Sequence, residues 1–198
     1  MKASDLTVIA VFNNNRRWRT RERLVRKFIP HMLQSGVKLI FVEHVMGQRE
    51  FLFEEGHPLT RHFTYLKIRG DATHETWLKE GLIKYGISRA PDDTKYIATI
   101  DADVFFQRDD WAIETLDMLQ CHRVGQPWSH SIDLGPDECP IEDERGHILN
   151  RSFAAAWEEG DITVTEEDYG LGQPTPRWLL GKKNKDRRNH FGYAWAFR

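Results

Sequence analysis

Asp101-Ala102-Asp103 carries the clearest chemistry in this 198-residue sequence. The tripeptide follows the apolar run Tyr96-Ile97-Ala98-Thr99-Ile100, which reads as a buried strand. Carboxylates at i and i+2 at the end of a strand point to the same side. Hard divalent cations take oxygen ligands, and Mg²⁺ is often held by one or two carboxylates, with phosphates and water completing its shell. Such a pair suits Mn²⁺ or Mg²⁺ on a diphosphate, where the ion offsets charge building on a leaving group. Asp-x-Asp alone is a common tripeptide. Its position is what makes it specific: a strand precedes it, Val104-Phe105-Phe106 follows it, and a first strand ends about 90 residues earlier.

Other candidates lie at the ends of the earlier strands. Asn13, Asn14 and Arg16 follow Leu6-Thr7-Val8-Ile9-Ala10-Val11-Phe12 and are suited to hydrogen-bond a base, ribose or phosphate; Asn equally suits an ordinary turn. Glu43 closes Val37–Glu43, where its carboxylate can accept a hydrogen bond from a ligand N–H or simply face water. Trp77 can pack on a base or sugar, although a helical Trp is more often core. Lys79 can face a diphosphate or solvent. Nine histidines show no His-Glu-x-x-His spacing, and neither a Gly-x-Ser-x-Gly elbow nor a Walker loop occurs.

The elements that must position these residues alternate. A strand over 6–12 stops at Asn13-Asn14-Asn15. A helix from about Thr20, its N-cap, to Gln34 places Leu24, Phe28 and Met32 four apart, and Pro30 predicts a kink or break in it. Strands follow over 37–43 and 63–68, a helix over 75–87, the strand at 96–100, and a helix capped by Asp109-Asp110 that carries Trp111, Ile113, Leu116 and Leu119. This alternation predicts an α/β fold with a mostly parallel sheet. From 121 to 190 Gly, Pro, Asp and Glu dominate, which predicts long loops, a helical turn near 152–158 and a strand and loop over 160–176.

Composition narrows the classes. Hydrophobic residues make up 40 % and charged residues 29 %, enough for a packed core. The net charge of −2 gives no bulk basic excess of the kind that marks nucleic-acid binders. Two cysteines, Cys121 and Cys139, exclude a disulfide scaffold and a multi-cysteine zinc site. No run reaches the length of a membrane span and no signal peptide is evident, so the expectation is a cytoplasmic protein. Charge is uneven. Residues 101–180 hold 18 Asp/Glu against 5 Lys/Arg, whereas basic clusters lie at 16–27 and at Lys182–Arg188. Positive ends around an acidic centre suit an anionic ligand bridged by a cation.

These segments together resemble the GT-A glycosyltransferases, the nucleotide-sugar-dependent class with an Asp-x-Asp metal motif, and within it the galactosyltransferase-like branch with its bacterial and phage relatives. Val11-Phe12-Asn13-Asn14-Asn15-Arg16 resembles the loop that holds the nucleotide. Phe41-Val42-Glu43-His44 resembles the second strand end. Trp77 to Gly86 resembles the aromatic-Asn-Arg segment and its helix, with Leu78 in place of Asn and Lys79 in place of Arg. A lysine keeps the charge and loses the bidentate fork. The match covers about residues 6–120. Gln126-Pro127 and His190–Arg198 resemble downstream segments, the latter an aromatic acceptor-side loop with Tyr193 and Trp195.

The resemblance implies a GT-A, Rossmann-like fold, with residues 1–120 binding the donor and 121–198 forming a loop-rich acceptor-side part of the same domain. It implies Asp101 and Asp103 as ligands of Mn²⁺ or Mg²⁺. Phe12, Asn13, Asn14, Arg16, Glu43, Trp77, Lys79 and Ala102 would line a site for a nucleoside-diphosphate sugar, a UDP-sugar by preference. It implies transfer to a hydroxyl acceptor with inversion. The acceptor is a glycan, or a modified nucleic acid met by Lys182–Arg188. In the family the catalytic base lies beyond the aromatic loop. The resemblance thus implies a base beyond Arg198 and a chain that is a piece of a longer protein. A nucleotidyltransferase also places carboxylates at strand ends, but normally after a Gly-rich loop that Asn13-Asn14-Asn15 does not supply. A non-catalytic nucleotide- or sugar-binding module is the third reading.

Overall fold

The computed structural model describes residues 1–71, 78–135, 137–141, 149–158, 188–189 and 192–198. The chain divides into two units, Met1–Pro127 with Tyr193–Arg198, and Trp128–Gly192.

The first unit is an α/β fold built on a six-stranded, mostly parallel sheet flanked by helices. After a short 3-10 turn at Ala3–Asp5 its elements run β1 (Leu6–Asn13), α1 (Arg19–Gln34), β2 (Lys38–Met46), a 3-10 turn at Pro58–His62, β3 (Thr64–Gly70), α2 (Lys79–Ile87), β4 (Tyr96–Ile100), α3 (Trp111–Cys121) and β5 (Val124–Gly125). A later strand, β9 (Ala194–Phe197), returns to this sheet. The strand order is β3-β2-β1-β4-β9-β5. The first four strands are parallel, and β9 inserts antiparallel between β4 and β5.

Every residue of β1 is buried, which explains why it reads as a continuous apolar run. Ile9 and Val11 face α2 and pack with Ile40, Val42 and Leu82. Phe12 and Phe41 stack on the opposite face, with ring centroids 6.2 Å apart. Arg21 and Arg26 of α1 lie over Phe12 and Phe53 on that side. Gly86 is the point of closest approach of α2. A Cβ there would sit 2.6 Å from Ile9 Cγ2 and 3.1 Å from Val42 Cγ2.

Several boundaries differ from the sequence expectation. The helix expected to kink or break at Pro30 runs unbroken from Arg19 to Gln34. Phe28, Ile29 and Met32 are wholly buried around the proline, and that burial offsets the lost hydrogen bond. The residue before the first turn of α1 is Trp18 rather than Thr20, and no side chain caps it. Asp110 does stand at the N-cap of α3, but its carboxylate is held by Arg108 at 2.6 Å instead of capping the helix. Strand β2 runs on to Met46 because β3 pairs with it as far as Gly70. The helix expected over 75–87 is described from Lys79; 75–77 lie outside the described residues.

The second unit holds β6 (His130–Ile132) and β7 (Leu149–Arg151), paired antiparallel, then α4 (Phe153–Glu158), and β8 (Arg188–Asn189) parallel to β7. The helical turn expected near 152–158 is α4, anchored by buried Ser152 and Ala156. The stretch 160–176 lies outside the described residues. No helix among the described residues is long and apolar enough to cross a membrane.

Gly86→Ala tests the packing of α2 on β1. Alanine gains helix propensity but overfills the contact with Ile9, and the net cost should be about 1–2 kcal/mol. Urea unfolding should show a lower midpoint with an unchanged slope.

Candidate functional site

Strand order reverses between β1 and β4, which are neighbours although α1, β2, β3 and α2 separate them in sequence. In open α/β sheets the crevice at the carboxyl ends of such a pair is where ligands bind. A small cleft of about 70 Å³ lies there. Its floor is Val11 and Phe12 from β1 with Val25 from α1, and its charged wall is Arg21, Lys79, Asp101 and Asp103 around Ala102.

The carboxylates converge through a turn. Strand β4 ends at Ile100, and Val104 N–H donates to Asp101 O at 3.1 Å. Ala102 is buried, while Asp101 and Asp103 both reach the cleft. The strand-end geometry expected from i and i+2 is thus supplied by a tight turn. Asp101 N–H donates to Tyr193 O at 2.8 Å, so the return of β9 fixes where the motif begins. Asp103 is an exposed residue of the cleft, and neighbouring protein displaces part of its water. That desolvation, and then the charge of Asp101, push its carboxyl above the usual range, while Arg21 and Lys79 pull it back. Lys79, the first residue of α2, forms an ion pair with Asp101 Oδ1; both side chains are under a third exposed.

This donor set fits a divalent cation. It offers two hard oxygen ligands on one wall, and their mutual repulsion is relieved by a positive charge. Among the described residues no group of three or more His, Cys, Asp or Glu converges. Further coordination positions would then fall to phosphate oxygens and water.

Five of the residues singled out in the sequence, Phe12, Lys79, Asp101, Ala102 and Asp103, come together here. Others are committed elsewhere. Asn13 is 5 % exposed; its Oδ1 accepts Asn15 N–H at 3.1 Å, and its Nδ2 donates to His44 Nδ1 at 2.8 Å. Asn14 Oδ1 accepts Trp18 N–H and its Nδ2 donates to Trp18 O, both at 3.0 Å. These two side chains build the turn into α1, the alternative that asparagine chemistry left open. Glu43 is 3 % exposed, and both its oxygens take Leu52 N–H at 3.0 Å. One also accepts the Tyr65 hydroxyl proton. Burial raises the Glu43 carboxyl, and these donors oppose the rise. Its carboxylate ties the segment after β2 to the sheet. Arg16 is exposed and does not line the cleft. Trp77 and residues 182–187 lie outside the described residues. Trp195 stands on β9 opposite Thr99, about one-third exposed, and Tyr193 adopts a positive φ of 65° just before that strand.

Two contributors were missed. Arg21 belongs to the basic cluster at 16–27; its signal is spacing, because it lies in the first turn of α1, just after the loop that follows β1. His31 was passed over as one histidine among nine. Its Nε2 accepts Phe106 N–H at 3.0 Å, and Phe106 stacks on Trp111, with centroids 4.0 Å apart. Trp111 Nε1–H in turn donates to Ser35 Oγ at 2.8 Å. The segment leaving Asp103 is thereby pinned to α1. Desolvation holds the His31 imidazole below its ordinary range, with Asp109 opposing.

No protein-family model matches the sequence, and no curated protein is similar to it. Among solved structures the chain is similar to residues 1–349 of TarS from S. aureus. The TM-score is 0.43 at 13 % identity, over 91 % of this chain and 54 % of that one. It is also similar to a protein assigned as a nucleotide-diphospho-sugar transferase from Desulfovibrio desulfuricans G20. There the TM-score is 0.37 at 14 % identity, over 68 % of this chain and 60 % of the other. The chain thus spans little more than half the length of either.

Two outcomes follow from the charges. A neutral His31 is favoured by the fold, whereas the unfolded chain takes up a proton near pH 6.5. Stability should therefore fall as pH drops from 7 to 5, and His31→Gln should flatten that slope in thermal melts. For Asp103 the sign is opposite: a raised carboxyl loses stability as pH rises through its range. Asp103→Asn should therefore melt slightly higher than wild type at pH 7 in chelator.

Proposed function

We propose that this chain is the donor-binding part of a metal-dependent glycosyltransferase of the GT-A class. In this reading it moves a sugar from a nucleoside-diphosphate donor, a UDP-sugar by preference, to a hydroxyl acceptor with inversion. One observation carries the proposal: Asp101, Asp103, Lys79 and Arg21 converge in the cleft where the strand order reverses between β1 and β4.

The division of labour follows from the chemistry of each group. Asp101 and Asp103 would hold Mn²⁺ or Mg²⁺ through their carboxylate oxygens. A bound divalent cation supplies counter-charge to a diphosphate leaving group. Lys79 and Arg21 are placed to meet phosphate oxygens, Lys79 as a mobile point charge and Arg21 as a planar fork. Phe12 forms the apolar floor beneath them. His31 and Tyr193 O fix the two ends of the turn that carries both carboxylates. The acceptor hydroxyl attacks the anomeric carbon in line, and the proton it gives up passes to a base outside the cleft described here. The GT-A resemblance supports this order of events, and it assigns Tyr193 and Trp195 to the acceptor side.

Thermal unfolding with Mn²⁺ and a panel of nucleoside diphosphates tests the reading. Ligand at 100 times its Kd adds about 2.7 kcal/mol. UDP should raise the melting temperature only with Mn²⁺ present, and Asp103→Ala should remove the effect. A wild-type chain that melts identically with every nucleotide and metal would sink the proposal. Slow release of UDP from UDP-sugar without acceptor would mark an enzyme rather than a binding module.

A further inference from the structure

The ion pair of Lys79 with Asp101 bears on how the site fills. Among the described residues it occupies one of two carboxylates that reach the cleft. An ammonium in contact with a carboxylate oxygen and a dication on that same oxygen repel each other, so the two cations compete for Asp101. Lys79 has the means to leave. Its stem is flexible, its head is a point charge with three donors, and its partner is near enough to solvent for the pair to be weak. It also has somewhere to go. It is the first residue of α2, at the positive end of that helix, inside the cleft where the diphosphate is proposed to lie.

We infer that Lys79 is an exchangeable counter-ion. It neutralises Asp101 while the cleft is empty, gives the carboxylate up to the divalent cation, and passes to the phosphate oxygens of the donor. This rests on the donor-site reading above and adds an order to it. Metal alone binds against Lys79. Metal with a diphosphate binds without that opposition, because the phosphates draw the ammonium away. Lys79 therefore makes metal and diphosphate bind cooperatively, and by linkage each strengthens the other by the same factor. An arginine at 79 would leave the competition intact, since it holds a carboxylate at least as firmly as lysine.

Calorimetric titration reads both halves of the exchange in one set of proteins: wild type, Lys79→Met, Lys79→Arg, and Lys84→Met as an exposed charge on the same helix. Mn²⁺ is titrated first without nucleotide, and UDP is then titrated at constant saturating free Mn²⁺. Lys79→Met should bind Mn²⁺ about two- to fivefold more tightly than wild type, the worth of a weak ion pair. The same variant should bind UDP about tenfold more weakly or worse, the loss of a charged hydrogen bond. Lys79→Arg should follow wild type toward Mn²⁺, and Lys84→Met should change neither constant. The opposite signs are the signature. If wild type binds Mn²⁺ and UDP and Lys79→Met shifts both in the same direction, or neither, the exchange is wrong and the donor site stands. If wild type binds neither, the donor-site reading falls and the exchange with it. Melting curves of all four proteins, which should coincide within a few degrees, separate a binding change from a folding defect.

Discussion

The parallel pairing of β1 with β4 is the constraint on which the rest depends. It joins Leu6–Ile9 to Tyr96–Thr99, segments about 90 residues apart, and sets two strand ends side by side. One end delivers Val11, Phe12 and the turn into α1. The other delivers Asp101 and Asp103. Burial holds the pairing in place. With Ile9 and Val11 under α2 and Phe12 under α1, slipping β1 by one residue would exchange its two faces and break both layers. A long parallel connection costs loop entropy before it returns any contact, and a strand buried along its whole length is what repays it.

The site built on this frame is an electrostatic compromise. Two carboxylates share one small cleft; desolvation and then the charge of Asp101 raise Asp103, and the pair calls for positive charge. The chain answers with Lys79 and Arg21, drawn from helices on opposite faces of the sheet. The Lys79–Asp101 pair is partly open to solvent, which keeps it weak.

Around the cleft, polar side chains serve the scaffold. Asn13 and Asn14 spend their hydrogen bonds on the loop after β1, and Glu43 spends its own on the segment after β2. His31 does the same for the segment after Asp103. Buried polar groups must be satisfied, so a carboxylate or amide at a strand end is used internally wherever the chain folds back within reach. The loops around the cleft are thereby held by side-chain contacts as well as by their own backbone, which keeps Arg21, Lys79 and the two aspartates in one place.

Much of this was legible in the sequence. The strands at 6–12 and 96–100, a helix from about Thr20 to Gln34, a helix carrying Trp111 to Leu119, the mostly parallel sheet and the Asp-x-Asp motif at a strand end follow from local period and apolar runs, which neighbouring residues decide among themselves. Tertiary structure decided the rest. It carried α1 through Pro30, because buried Phe28, Ile29 and Met32 outweigh a local preference. It turned Asn13 and Glu43 inward, because His44, Leu52 and Tyr65 come from other strands and loops. It picked Arg21 from a run of arginines, because only one position faces a cleft formed by β1 and β4. Which residues make elements is a short-range question that the sequence answers by itself. Which side chains meet a ligand depends on strand order and burial, and these exist only once distant segments have packed.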